Sequence, residues 1–255
     1  MSLFNEKLKT ISMIEALAVV VIFYIPFLSL RLFNITNIDT WIVNLIIIAY
    51  FVVRFGDSIP DLKVDISNIF SKFSFLDILV IVLANIFFSY GMLYLSNWFV
   101  HLVPLNSFLT CLVPKSIGSG FFGILTFISI VLVSPISEEL IFRGVLLNKL
   151  KFVVPTTIAI LVSSLLFASL HSFGSIFSAF IFGVCMAILY LKTDNILLPL
   201  LAHFLNNFIG EVIYNIDGSL LLFKNNVLVC LMSILAIVSF IIILKFIDSH
   251  LKNIK

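Results

Sequence analysis

GFFGILTFISIVLVSPISEELIFRGVLL, residues 120–147, is apolar along most of its length yet carries Glu138, Glu139 and Arg143. About 20 largely apolar residues are enough for a helix to cross a bilayer, so this stretch reads as a membrane span. Ionisable side chains are costly in hydrocarbon and are kept there for a task or for one another. Two isolated histidines follow in later apolar runs, as Phe167-x-x-x-His171 and His203-x-x-x-Asn207. Carboxylates, imidazoles and an amide in so greasy a chain point to hydrolysis inside the membrane.

The rest of the chain agrees with a membrane setting. It has 255 residues, 62% hydrophobic and 11% charged, whereas soluble domains are about half apolar and a quarter charged. The expected fold class is an all-α polytopic membrane protein forming one membrane domain over residues 1–255. About eight transmembrane helices are expected: Ser12–Leu30, Trp41–Val53, Phe75–Val100, Gly120–Leu147, Pro155–Leu170, Ser175–Leu191, Ile196–Tyr214 and Leu220–Phe246. The first run is long, and no small-x-small site follows it, so it is expected to stay as an anchor. Gly118–Gly120, His171–Gly174 and Asp217-Gly218 read as breaks, and Pro104–Pro114 as a short outer-surface segment. With the N-terminus in the cytoplasm, eleven basic residues (Lys7, Lys9, Arg54, Lys63, Lys72, Lys149, Lys151, Lys192, Lys245, Lys252 and Lys255) fall inside. Only Arg31, Lys115 and Lys224 fall outside. That asymmetry places both termini in the cytoplasm. A net charge of +2 gives no reason to expect a nucleic-acid partner; the expected partners are lipid and a peptide or protein. An Ile-, Phe-, Leu- and Asn-rich usage is consistent with a bacterial cell membrane. Cys111, Cys185 and Cys230 form no CxxC and read as buried apolar residues.

Helix rise brings the rare polar groups to one layer. From the cytoplasmic helix ends, Glu138 lies about 18 Å up, His171 about 24 Å, His203 about 12 Å and Asn207 about 18 Å. Glu139 and Arg143 are four residues apart and share a helix face, so they can neutralise each other and leave Glu138 to a cavity. His203 and Asn207 share a face in the same way.

In that order and spacing, Glu138-Glu139-x-x-x-Arg143, Phe167-x-x-x-His171 and His203-x-x-x-Asn207 resemble the CPBP family of intramembrane proteases. That family includes the type II CAAX prenyl endopeptidases and the Abi-type proteins linked to bacteriocin immunity. The stretch from Phe182-Gly183 to Tyr190-Leu191-Lys192, leading to Leu198–His203, is similar as well. The resemblance spans residues 120–213, the expected catalytic core. It implies an eight-helix fold with a cavity open to cytoplasm and bilayer, water activated by Glu138 and His171, a carbonyl oxygen bound by His203 and Asn207, and support from Glu139 and Arg143.

The chemistry stands on its own terms. Water attacks an amide only when a base takes its proton, and preorganised donors hold the developing oxyanion. No cofactor is expected. The rival is zinc on His171, His203 and Glu138, which would leave an open position for water, although no HExxH is present. Blander readings accompany each residue. Glu139–Arg143 can be a structural ion pair, and a single histidine in a span can bond a neighbouring helix. Asn85 and Asn206 read as helix–helix hydrogen bonds, Glu211 as an outer-interface residue, Glu15 and Asp77 as helix-start residues, His101 and His250 as solvent-exposed, and the Phe-rich surface as lipid-facing bulk rather than a prenyl pocket. Two other functions compete with an endopeptidase: a bacteriocin self-immunity protein, protease-based or non-catalytic, and a proton-coupled transporter, which would want repeat symmetry that is not seen. Oligomeric state and substrate identity have no signature in the chain.

Overall fold

The structure, a computed structural model, describes residues 2–33, 40–102, 121–171, 173–217 and 221–252. All of its regular elements are helical. A short helix, α1 (Leu3–Thr10), N-capped by Ser2, precedes the longer α2 (Met13–Phe33). A reciprocal capping pair starts α2: Glu15 N–H donates to Ser12 Oγ (3.1 Å), and Ser12 N–H donates to the Glu15 carboxylate (3.4 Å). The chain turns sharply there, so that α1 lies at 93° to Met13–Ile25. α3 (Thr40–Phe55) continues through a 3-10 turn, Gly56–Asp61, into α4 (Leu62–Ser67). A second capping pair, Ser74 and Asp77, starts α5 (Phe75–Leu102).

The rod over residues 121–150 changes winding along its length. It runs α6 (Phe121–Ile128), a π-helical turn Ser129–Val133, α7 (Ser134–Glu139), a second π-helical stretch Leu140–Leu147, and α8 (Asn148–Leu150). Next come α9 (Thr156–Ser169), a 3-10 turn Phe173–Ser175, and α10 (Ile176–Thr193), which ends at a left-handed Asp194. α11 (Leu197–Ile216), α12 (Leu221–Lys224) and α13 (Asn226–Leu251) complete the bundle. Central in the bundle is α10, with 67% of its span buried against 22% for α11 and for α13. On its flanks, α9 and the Leu140–Leu147 stretch pack on one side and α5, α11 and α13 on the other.

Six described helices are long and apolar enough to cross a membrane: Trp41–Ser67, Phe75–Ser96, Gly123–Leu150, Ile176–Thr193, Leu197–Ile216 and Asn226–Leu251. The bent pair at the N-terminus makes seven if it is one span. The chain is therefore an integral, multi-pass membrane protein. Of the eight expected, the first is met only by that bent pair, and α9 is not counted: its 14 residues reach only about 21 Å, short of the ~30 Å hydrocarbon core. In the other direction, the span expected at Trp41–Val53 continues to Ser67, because the 3-10 turn prolongs the helix rather than ending it.

One end of the bundle gathers basic residues. Lys7 pairs with Asp57, Lys9 Nζ with Asp194 (2.8 Å), Lys149 Nζ donates to the Lys9 carbonyl (2.8 Å), and Lys72 donates to the Lys192 carbonyl. A buried polar knot seats α1 at this end. Asp65 accepts from Ser2 and Asn5, and Asn5 Oδ1 in turn accepts from the Ile196 N–H (3.1 Å).

Several expectations change. Cys230 is exposed on α13, because it faces away from the bundle, whereas Cys185 is buried as expected. His250 is not simply solvent-exposed: it lies against the rings of Phe73 (5.2 Å) and Phe246 (4.6 Å). Not every phenylalanine lies on the surface: Phe23, Phe51, Phe55, Phe142 and Phe167 are among the largest fully buried side chains. Pro104–Pro114, the break at Gly118–Gly120, Cys111, Lys115, Lys255 and the side chains of Arg31 and His101 lie outside the described residues.

Candidate active site

The site is built around Glu139, which is fully buried on α7. Arg143 Nη1 donates to Glu139 Oε1 at 3.0 Å, and His203 Nδ1, from α11, meets the same oxygen at 2.8 Å. An ionised carboxylate only accepts hydrogen bonds, so His203 Nδ1 carries the proton in this pairing. That turns the other ring nitrogen, Nε2, towards Glu138 Oε2 at 3.8 Å. Glu138, Glu139, Arg143 and His203 thus meet in one buried polar group drawn from two helices.

Arg143 is held on every side. Its Nη2 donates to the Gly183 carbonyl (3.2 Å) and its guanidinium lies 4.7 Å from the Phe167 ring centroid. Cation–π contact of this kind is strongest where water is excluded. Gly183 permits that approach: a Cβ there would stand 3.2 Å from Ser164 Cα and 3.3 Å from Phe167 Cδ1. Phe167 is the shared wall of the site, also touching His171 (4.8 Å) and, edge to face, His203 (5.7 Å).

His171 sits at the end of α9, with Nδ1 3.2 Å from the Phe167 carbonyl. A carbonyl only accepts, so Nδ1 donates and Nε2 is the acceptor nitrogen of the neutral ring. His171, His203 and Asn207 line one cavity of about 180 Å³, with Phe167, Phe182 and Ala179 as its apolar wall. Glu138 is not part of that lining; it meets the cavity through His203, which belongs to both. Asn207 donates one N–H to the Ile130 carbonyl (2.9 Å), which leaves its second N–H. Ile130 lies in the π-helical turn, where the altered ladder makes carbonyls available, and such turns are frequent at functional sites.

The expected residues therefore fall into two overlapping groups. Glu138, Glu139 and Arg143 converge with His203, and His203 lines the cavity with His171 and Asn207. Asn85 bonds Asn206 between helices (2.9 Å), as expected. Among the described residues no three His, Cys, Asp or Glu side chains are grouped to hold a metal ion. Sequence reasoning missed Asn44, whose Nδ2 donates to Ser134 Oγ (2.8 Å) and whose Oδ1 accepts from Ser137 Oγ (2.8 Å). These bonds clamp α7 to α3. The available signal was a lone amide in an apolar span. Glu211 sits half-buried, with Oε2 lacking a hydrogen-bond partner among the described residues.

Residues 119–209 match the family model described as type II CAAX prenyl endopeptidase Rce1-like. Over that segment the chain is similar to the Rce1-like family. The segment contains Glu138, Glu139, Arg143, His171, His203 and Asn207. Over 108 residues the chain is also 31% identical to an "Uncharacterized 24.3 kDa protein" of Escherichia coli, a match covering 40% of this chain and 48% of that protein. The chain thus spans about half the length of the curated relative it matches. No solved structure matches the chain.

Proposed function

We propose that the protein is an intramembrane endopeptidase of CAAX type, cleaving a peptide bond of a membrane-associated peptide or protein without a metal. The observation that carries this reading is Glu139 Oε1 held by both Arg143 and His203 Nδ1, with His203 Nε2 facing Glu138 beside a cavity. Glu138 takes a proton from the attacking water, and His171, whose Nε2 is the acceptor nitrogen, shares that work and returns a proton to the leaving amine. Glu139 fixes the His203 ring, whose Nε2 serves as a donor to the developing oxyanion. The second N–H of Asn207 adds another. Arg143 balances the Glu139 charge and fixes its orientation. The basic end of the bundle, with both termini, faces the cytoplasm.

The test is comparative analysis of membrane peptides in cells carrying the wild type, Glu138→Ala or His171→Ala. Uncleaved precursors should accumulate with either variant while the protein stays folded. Full activity in both variants overturns the reading. A non-catalytic immunity protein would instead keep its protection in Glu138→Gln.

A further inference from the structure

Three amides run in series along the wall of the cavity, and their order fixes which way each one points. At one end Asn207 Nδ2 donates to the Ile130 carbonyl (2.9 Å), an acceptor that admits no alternative. That leaves Asn207 Oδ1 to accept from Asn206 Nδ2 (3.2 Å), and Asn206 Oδ1 to accept from Asn85 Nδ2 (2.9 Å). Flipping any one amide would set two donors or two acceptors against each other. The series ends at Asn85 Oδ1, which is buried and has no hydrogen-bond partner among the described residues. Asn85 is 5% exposed and lines the cavity, close to Ser89, Ser175 and Ser178. An unpaired acceptor in such a place costs stability unless something donates to it.

We propose that Asn85 is a substrate-binding residue whose Oδ1 accepts a backbone N–H of the peptide in the cavity. Asn85 lies on α5, outside the family-matched segment 119–209, so the helix before the matched segment supplies one wall of the binding site. A main-chain N–H fits the acceptor because a peptide offers one at each residue, and the apolar faces of Phe167, Ala179 and Phe182 suit the flanking side chains. The relay also ties this wall to Asn207, so that peptide seated on Asn85 bears on the amide beside the reacting carbonyl. The assignment rests on the cavity being a peptide site, as proposed above, but not on hydrolysis.

The test is a binding measurement on the purified full chain in detergent micelles, using fluorescence anisotropy. The probe is a labelled peptide ending in a prenylated Cys-aliphatic-aliphatic-X sequence, with a set of versions in which one backbone amide at a time is replaced by an ester. Wild type should bind one ester version about three- to tenfold more weakly than the parent, the range for one neutral hydrogen bond. Asn85→Leu should bind the parent more weakly by a similar factor and lose no further affinity for that ester version. Asn85→Ser, which cannot reach as far, should behave the same if Asn85→Leu does not fold. The assignment is overturned if the ester penalty persists in the variants, if the variants bind the parent as wild type does, or if wild type binds none of the peptides. Binding with this ester pattern but without cleavage keeps the assignment and overturns only the hydrolase reading.

Discussion

His203 Nδ1 and Glu139 Oε1 lie 2.8 Å apart although 64 residues separate them in the chain. The same carboxylate oxygen binds Arg143, so one atom joins an ion pair to an imidazole. The two glutamates are thereby given different surroundings: Glu139 is held from two sides, and Glu138 faces the far nitrogen of the same ring.

Removing one member of the ion pair should cost more than removing both. Glu139→Ala leaves the guanidinium of Arg143 buried with no carboxylate, a loss of about 3–5 kcal/mol. Arg143→Met strands Glu139 in the same way. The double variant Glu139→Gln/Arg143→Met should sit nearer wild type than either single change. Thermal unfolding in detergent, read by loss of monodisperse protein, orders the variants.

Glu138 should behave in the opposite sense. Among the described residues it makes no hydrogen bond, and its ion-pair partner is His203 at 3.8 Å, so Glu138→Gln should unfold close to the wild-type temperature. Peptide cleavage should nonetheless fall by about 100-fold or more, the scale of a lost general base. A folded, active Glu138→Gln enzyme would remove Glu138 from the mechanism.

Asn207→Ala should lower kcat by about 100- to 1000-fold with KM little changed, the signature of a lost oxyanion donor. The same variant frees the Ile130 carbonyl, so its unfolding temperature must be measured beside its rate. A rise in KM alone would make Asn207 a ground-state binding residue.

How much of this was legible in the chain differs from residue to residue. The four-residue step from Glu139 to Arg143 is a local relation, and helix geometry alone pairs them. The apolar runs around them are equally local, which is why most spans could be drawn. The bond from Glu139 to His203 depends on which helices are neighbours, and an apolar helix carries little information about its partner when every face is greasy. The π-helical turns at Ser129–Val133 and Leu140–Leu147 have no residue signature of their own, yet the first holds Ile130, whose carbonyl accepts from Asn207. Phe167 was visible as part of a motif, but its work as the wall between Arg143, His171 and His203 required the fold.

A metal-free site predicts that purified protein holds no stoichiometric zinc and that its peptidase activity survives a strong chelator. His203 Nδ1 is bonded to Glu139 and His171 Nδ1 to a backbone carbonyl, so zinc would have to be bound through the other nitrogen of each ring. Elemental analysis of the purified chain, together with activity before and after chelation and after zinc is added back, decides the matter. Loss of activity restored by zinc would replace the glutamate–histidine mechanism with a metal-bound water.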